Sequence, residues 1–173
     1  MKRSEKEAII DSLTQEINSY SHFYLADVAD LDAENTTALR RLCYQKNIKL
    51  VVAKNTMVRK AIENSEKNAE ELYEVLKGNT SIMLCEVGNE PAKLIKAFAK
   101  EKGKGKPVLK GAYVEESIYV GANQLDVLTH IKSKNELIGD VIGLLQSPIK
   151  TVLGQLQSGG NTIHGVLETL SKK

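Results

Sequence analysis

The chain has little of what marks several large protein classes. Two cysteines in 173 residues, in no metal-ligand spacing, exclude a disulfide framework and point to a reducing compartment. No uninterrupted apolar stretch approaches the ~20 residues that cross a bilayer. The start, Met1-Lys2-Arg3-Ser4-Glu5, leads into no signal-peptide core, so neither a leader nor a membrane partner is expected. The three histidines, His22, His130 and His164, are scattered, Cys43 has no histidine in its neighbourhood, and Cys85 sits in an apolar run. With no convergent polar set, the chain is expected to be no enzyme and to hold neither metal nor cofactor. Gly103-Lys104-Gly105-Lys106 lacks the spacing and the hydroxyl of a phosphate-binding loop and reads as a helix end with solvated lysines.

Two further absences are local. Residues 35–62 contain no acid but seven basic side chains, and residues 93–110 carry seven lysines against the single acid Glu101. The formal charge of +2 therefore averages windows of +7 and +6 with a remainder of −11. Such segregation suits a polyanion on one face and a different partner on another. The second absence is aromatic: none occurs in residues 120–173.

What is present reads as a soluble globular chain, 42% apolar and 27% charged. Ser4 and Glu7 have capping-box spacing ahead of a helix carrying Ile9, Ile10, Leu13, Ile17 and Tyr20. Residues 23–28 read as a strand, and Asp32 as the cap of a helix through Leu39, Leu42 and Cys43. Residues 48–53 form a β-branched strand of buried character, followed by two short helices, the second closed by Gly78. A strand over 81–87, a helix opened by Pro91 and closed by Gly103, and a strand over 107–114 complete the set. The βαββαβ order predicts an α+β fold: a ferredoxin-like α/β sandwich over 1–120, with inserted helices and its helices on one sheet face. A connecting helix is expected over 121–133, then a long amphipathic helix over 134–173.

That tail, opened by a second capping-box pair, Ser133 and Glu136, presents one stripe at helical spacing. The stripe is Ile138, Val141, Ile142, Leu145, Ile149, Val152, Leu153, Leu156, Ile163, Leu167 and Leu170. Residues 143–153 align with 154–164 at five of eleven positions, and a third copy begins at Gly165. Eleven residues are three turns at about 3.67 residues each, which keeps equivalent side chains on one side. A stripe of that length cannot be buried along its whole course on a small domain, so it needs partners. The alternative is a helical hairpin broken at Ser158-Gly159-Gly160-Asn161. A membrane anchor fits less well, because the polar face is Gln, Ser, Thr and Asn rather than Lys and Arg.

In the +7 window, Ala53-Lys54-Asn55-Thr56-Met57-Val58-Arg59-Lys60 places a strand end, a capping Asn55 and three cations around a helix N-terminus. Free N–H groups, the helix dipole and these cations suit a phosphate. The alternative is an ordinary strand-to-helix turn with a solvated charged face, which the uninterrupted basic window around it does not favour over the anion site. Tyr44 or Tyr24 could stack on a base, although tyrosine in such a pattern is commonly core.

These residues carry a resemblance. Leu39-Arg40-Arg41-Leu42 through Lys54-Asn55-Thr56-Met57-Val58-Arg59-Lys60-Ala61 is similar to the Arg/Lys-Asn-Thr-Leu-hydrophobic-Arg signature of the bacterial large-subunit ribosomal stalk protein, the L-ten family. Leu76-Lys77-Gly78-Asn79-Thr80-Ser81, with Asn79 at the usual proline, Val108-Leu109-Lys110-Gly111-Ala112 and Leu144-Leu145-Gln146-Ser147-Pro148 follow the same family's pattern. The resemblance spans essentially the whole chain, with departures at Asn79, Lys132 and Gly159-Gly160.

The resemblance implies an N-terminal domain seated on large-subunit rRNA beside the L-eleven protein, in the cytoplasm at the base of the ribosomal stalk. It implies a C-terminal spine for dimers of the L-seven/L-twelve stalk protein, which recruit and stimulate translational GTPases. Carried over by position, Lys54, Asn55, Thr56, Arg59 and Lys60 contact or shape the RNA side; Lys2, Arg3, Arg40 and Arg41 join them on charge alone. Two dimers are expected, on residues 149–156 and 163–170 of the stripe, with room for a third on Ile138, Val141 and Ile142. A nonribosomal RNA-binding adaptor in ribosome assembly is the alternative; it would share the basic domain without needing repeated partner sites.

Overall fold

The computed structural model describes residues 3–65, 67, 69–101 and 105–171. It divides into two units, Met1–Ile131 and Lys132–Lys173.

The first unit is an antiparallel five-stranded sheet: β1 (His22–Asp27), β2 (Lys49–Val52), β3 (Ser81–Cys85), β4 (Val108–Val114) and β5 (Ser117–Val120), in the order β2-β3-β1-β4-β5. The first four strands have the ferredoxin-like arrangement. The fifth extends it beyond the predicted four, joined to β4 by a two-residue turn that pairs Val114 with Ser117.

Helices cover both faces, not one. α2 (Ala33–Gln45), α4 (Glu90–Glu101) and α5 (Leu125–His130) pack Leu39, Ile95, Phe98 and Leu128 onto Tyr24, Ala26 and Met83. α1 (Arg3–Ser19), α3 (Asn55–Glu63) and a 3₁₀ segment (Glu70–Val75) pack Ile17, Val58, Ile62 and Leu72 onto Phe23, Leu25, Ile82 and Leu84. Successive strand residues point to opposite faces. That is why residues 23–26 of β1 and 82–85 of β3 are unbroken apolar runs: each face meets a helical layer. Phe23 and Tyr113 stack beneath the second layer with ring centroids 5.3 Å apart. A side chain at Gly111 would meet Leu72 at 2.6 Å, so glycine lets the 3₁₀ segment approach β4.

Local expectations hold unevenly. Asp32 is the cap residue of α2 and Pro91 lies in the first turn of α4. α1 begins at Arg3, so Ser4, expected as its cap, falls inside the helix; its side chain is outside the described set, as is Gly103. The end of α1 is held instead by Lys67, whose ammonium donates to the carbonyls of Ile17 (2.7 Å), Tyr20 and Ser21 (3.3 Å). β2, read as buried, is an edge strand with Val52 57% exposed.

The second unit is α6 (Lys134–Ser171), 38 residues long, or about 57 Å at ~1.5 Å per residue. It is capped as predicted: Ser133 N–H donates to Glu136 Oε2 at 2.8 Å, and Glu136 N–H to Ser133 Oγ at 3.3 Å. The helix passes without a break through Pro148 and residues 158–161, where the alternative hairpin would have turned. By length and mean hydropathy alone α6 is sufficient to cross a membrane, although no single apolar run in it is that long.

Candidate functional site

β1 and β2 each run antiparallel to β3 between them, so both end on the same side as β3 begins. Beyond these ends lies a cleft of about 700 Å³, walled by Val28 and Ala29, the Val52-to-Thr56 turn, and the loop Gly78-Asn79-Thr80. Lys54, with extended backbone (φ −69°, ψ 137°), is the residue that caps α3, and its side chain makes no cap bond; its carbonyl accepts from Met57 N–H at 2.8 Å and Val58 N–H at 3.0 Å. Asn55 is the first helical residue rather than the cap. Its amide reaches across the cleft to the carbonyls of Leu76 (3.0 Å) and Gly78 (2.7 Å), so it shapes the site rather than capping the helix.

Thr56 and the cations Lys54 and Lys60 are exposed, and neither ammonium has a hydrogen-bond or ion-pair partner among the described residues. Together with Lys6 they line a second hollow of about 420 Å³ between α1 and α3. Arg59 is engaged differently. Its Nε bonds Glu63 at 2.9 Å and its guanidinium lies 5.1 Å from the Tyr73 ring centroid. Burial, with Glu63 and Glu70 nearby, pushes the Tyr73 phenol upward.

The +7 window is not one surface. Arg40 and Arg41 are exposed on α2, on the opposite sheet face from α3. Tyr44, one turn beyond Arg40, is 85% exposed, whereas Tyr24 is buried and donates its hydroxyl to the Gly88 carbonyl, which removes it as a stacking residue. Lys49 is paired with Glu16 at 2.8 Å. Lys2 lies outside the described residues, and so does the side chain of Arg3.

In the second basic block Lys96, Lys106 and Lys110 are bonded within the protein, whereas Lys93 and Lys100 are exposed. Lys96 pairs with Asp126 at 2.7 Å. Lys106 pairs with Asp30 at 2.7 Å and Asp27 at 3.7 Å, and the Asp30 bond holds its ammonium above the ordinary lysine range. Lys110 donates to the carbonyls of Lys77 and Asn79. Lys102 and Lys104 are outside the described set.

On α6, all eleven stripe residues from Ile138 to Leu170 are between 48% and 74% exposed. Leu137, Leu144 and Val166 widen the same apolar surface; their spacing one residue from stripe positions was the signal that could have added them. Burial raises the thiols of Cys43 to about 11 and Cys85 to about 12, so neither is a thiolate near neutrality. Among the described residues no three His, Cys, Asp or Glu side chains are placed to hold a metal.

A helix-covered antiparallel sheet with a cationic cleft, followed by a long helix with an uncovered apolar stripe, defines an α+β protein with a helical extension. A family model described as ribosomal protein L10 matches residues 1–100. The chain is 56% identical over 173 residues to the large ribosomal subunit protein uL10 of Christiangramia forsetii, covering 100% of this chain and 99% of that one. It is 47% identical over 158 residues to the uL10 of Flavobacterium johnsoniae, covering 91% and 93%. With the uL10 of Salinibacter ruber it shares 34% over 169 residues, covering 98% and 94%. The chain belongs to the ribosomal protein L10 family.

Proposed function

We propose that the chain is a non-enzymatic constituent of the large ribosomal subunit in the bacterial cytoplasm, with two binding surfaces that join rRNA to the stalk. The α/β unit binds large-subunit rRNA at the stalk base, beside the L-eleven protein. α6 is the spine for dimers of the L-seven/L-twelve stalk protein, and through them translational GTPases are recruited. The observation that carries this reading is the uncovered, repeat-bearing stripe of α6. Its exposed apolar side chains have no place in a finished assembly unless a partner covers them.

On the RNA side, Lys54 and Lys60 supply phosphate contacts at the N-terminus of α3, with Thr56 as a neutral donor. Asn55 shapes the site. Arg59, held by Glu63 and Tyr73, contributes less than either lysine. Arg40, Arg41 and Tyr44 form a separate contact on α2, where the ring can stack on an unpaired base.

On the spine, Ile149, Val152, Leu153 and Leu156 hold one dimer and Ile163, Leu167 and Leu170 a second; a third fits Ile138, Val141 and Ile142. Native mass spectrometry of the chain with the stalk protein and rRNA is the test. Truncation at Gly154 is expected to remove one dimer and to leave rRNA bound. Loss of no dimer, or of every dimer, overturns the assignment of repeats to partners.

A further inference from the structure

The loop of residues 76–80 runs between the 3₁₀ segment and β3, and it has no strand partner to fix its shape. Its carbonyls are taken up in alternation by two side chains. Asn55 donates to Leu76 and Gly78, at 3.0 and 2.7 Å. Lys110, from β4, donates to Lys77 at 2.6 Å and Asn79 at 2.7 Å, and its third N–H points to Thr80 Oγ1 at 3.1 Å. An ammonium has three donors. All three are used on groups of the protein itself.

Gly78, at φ +73°, lets the loop turn between the two anchors, and Thr80 is nearly fully buried at the start of β3. The loop is a wall of the cleft whose other wall carries Lys54 and Thr56. The separation of the two walls is therefore set by Asn55 from one side and by Lys110 from the other. A lysine within the +6 window would ordinarily count as a contact to the polyanion. Here its geometry directs it inward.

We infer that Lys110 is a positioning residue for RNA recognition: it makes no phosphate contact and acts through the loop it anchors, fixing the width of the cleft. This rests on the reading of the cleft as the rRNA site. The two roles differ in their salt signature. Each lysine that neutralises a phosphate adds about 0.7 to 0.9 to the slope of log affinity against log salt. A positioning lysine changes affinity at every salt concentration and leaves the slope alone.

The experiment measures binding of purified bacterial large-subunit rRNA by the full chain across a salt series, with amide hydrogen exchange on the free protein. Lys110→Met is expected to lower affinity on the order of tenfold at each salt concentration with the wild-type slope, and to speed exchange at Asn79 and Thr80. Lys110→Arg, which keeps the donors, is expected to recover most of that loss. Lys54→Ala is expected to make the slope shallower by about one contact. If Lys110→Met unfolds the chain, Lys110→Gln, which keeps two N–H donors without charge, gives the same slope comparison. A slope reduced by a full contact in the Lys110 variant, or unchanged affinity despite faster loop exchange, overturns the inference while leaving the rRNA reading intact. A wild-type chain without salt-dependent rRNA binding sinks both.

Discussion

The turn between β4 and β5 places Glu115 and Glu116 at φ 50° and 62°. Two-residue hairpins favour this mirror-image geometry because it follows strand twist, but Asn and Gly are the residues that adopt it without strain. A left-handed conformation costs other residues roughly 1–2 kcal/mol each, and two adjacent carboxylates add repulsion. Glu115→Asn with Glu116→Gly is therefore expected to stabilise the first unit by about 1–3 kcal/mol. Thermal or urea unfolding checks it, and an unchanged midpoint would show that the turn is already relaxed. The bond from Glu115 N–H to His22 Nδ1, 3.2 Å long, is to backbone and survives the exchange. Residue identity alone was a poor guide to role at this scale. Lys49, Lys96, Lys106 and Lys110 are all bound within the protein, while Lys54 and Lys60 are not. Charge was legible in the sequence; the partner that absorbs each charge lies on another element and was not.

At the scale of elements, α6 combines a strong pattern with weak propensity. Its six glycines, together with Pro148, sit in a helix whose glycine positions have open space where a side chain would project. Each glycine costs about 1 kcal/mol relative to alanine. Gly159→Ala with Gly160→Ala is expected to stabilise the free helix by about 2 kcal/mol and to raise its far-UV dichroism, while stalk-protein binding is retained or tightened. Weaker binding would mean that close backbone approach at these glycines matters to the partner. The helix itself was legible because capping box, stripe and repeat agree. The fifth strand was not: Glu115-Glu116 gives no turn signal, and Ser117–Val120 is too short to show alternation. The two-sided helical cover also escaped, because an apolar run such as 81–85 fits burial on both faces but does not by itself say which helices supply it.

For the whole molecule, the charge of +2 conceals a division of labour between forces. The first unit holds both basic windows, whereas residues 137–173 carry three cations against two acids around an apolar stripe. Raising salt from about 50 to 200 mM is expected to weaken rRNA binding by on the order of tenfold or more. Stalk-protein binding through the stripe should be unchanged or firmer over the same range. Parallel titrations of the two complexes decide it; equal salt sensitivity would mean that the spine also binds through charge. The windows themselves fold into dispersed places. Arg40 and Lys60 lie within one acid-free stretch, yet the sheet separates their helices. Contiguity in sequence marked the unit that carries the basic charge without giving the outline of its surface.

The unbroken course of α6 also acts as a ruler. An eleven-residue step advances about 16 Å along the axis and turns about 20° past three full revolutions. Bodies seated on successive repeats would therefore be nearly in line, with their centres about 16 Å apart against the ~10–12 Å width of a helix with its side chains. On the proposed function, a docked body broader than that step would touch its neighbour, and each occupied repeat would supply a flank against which the next is placed.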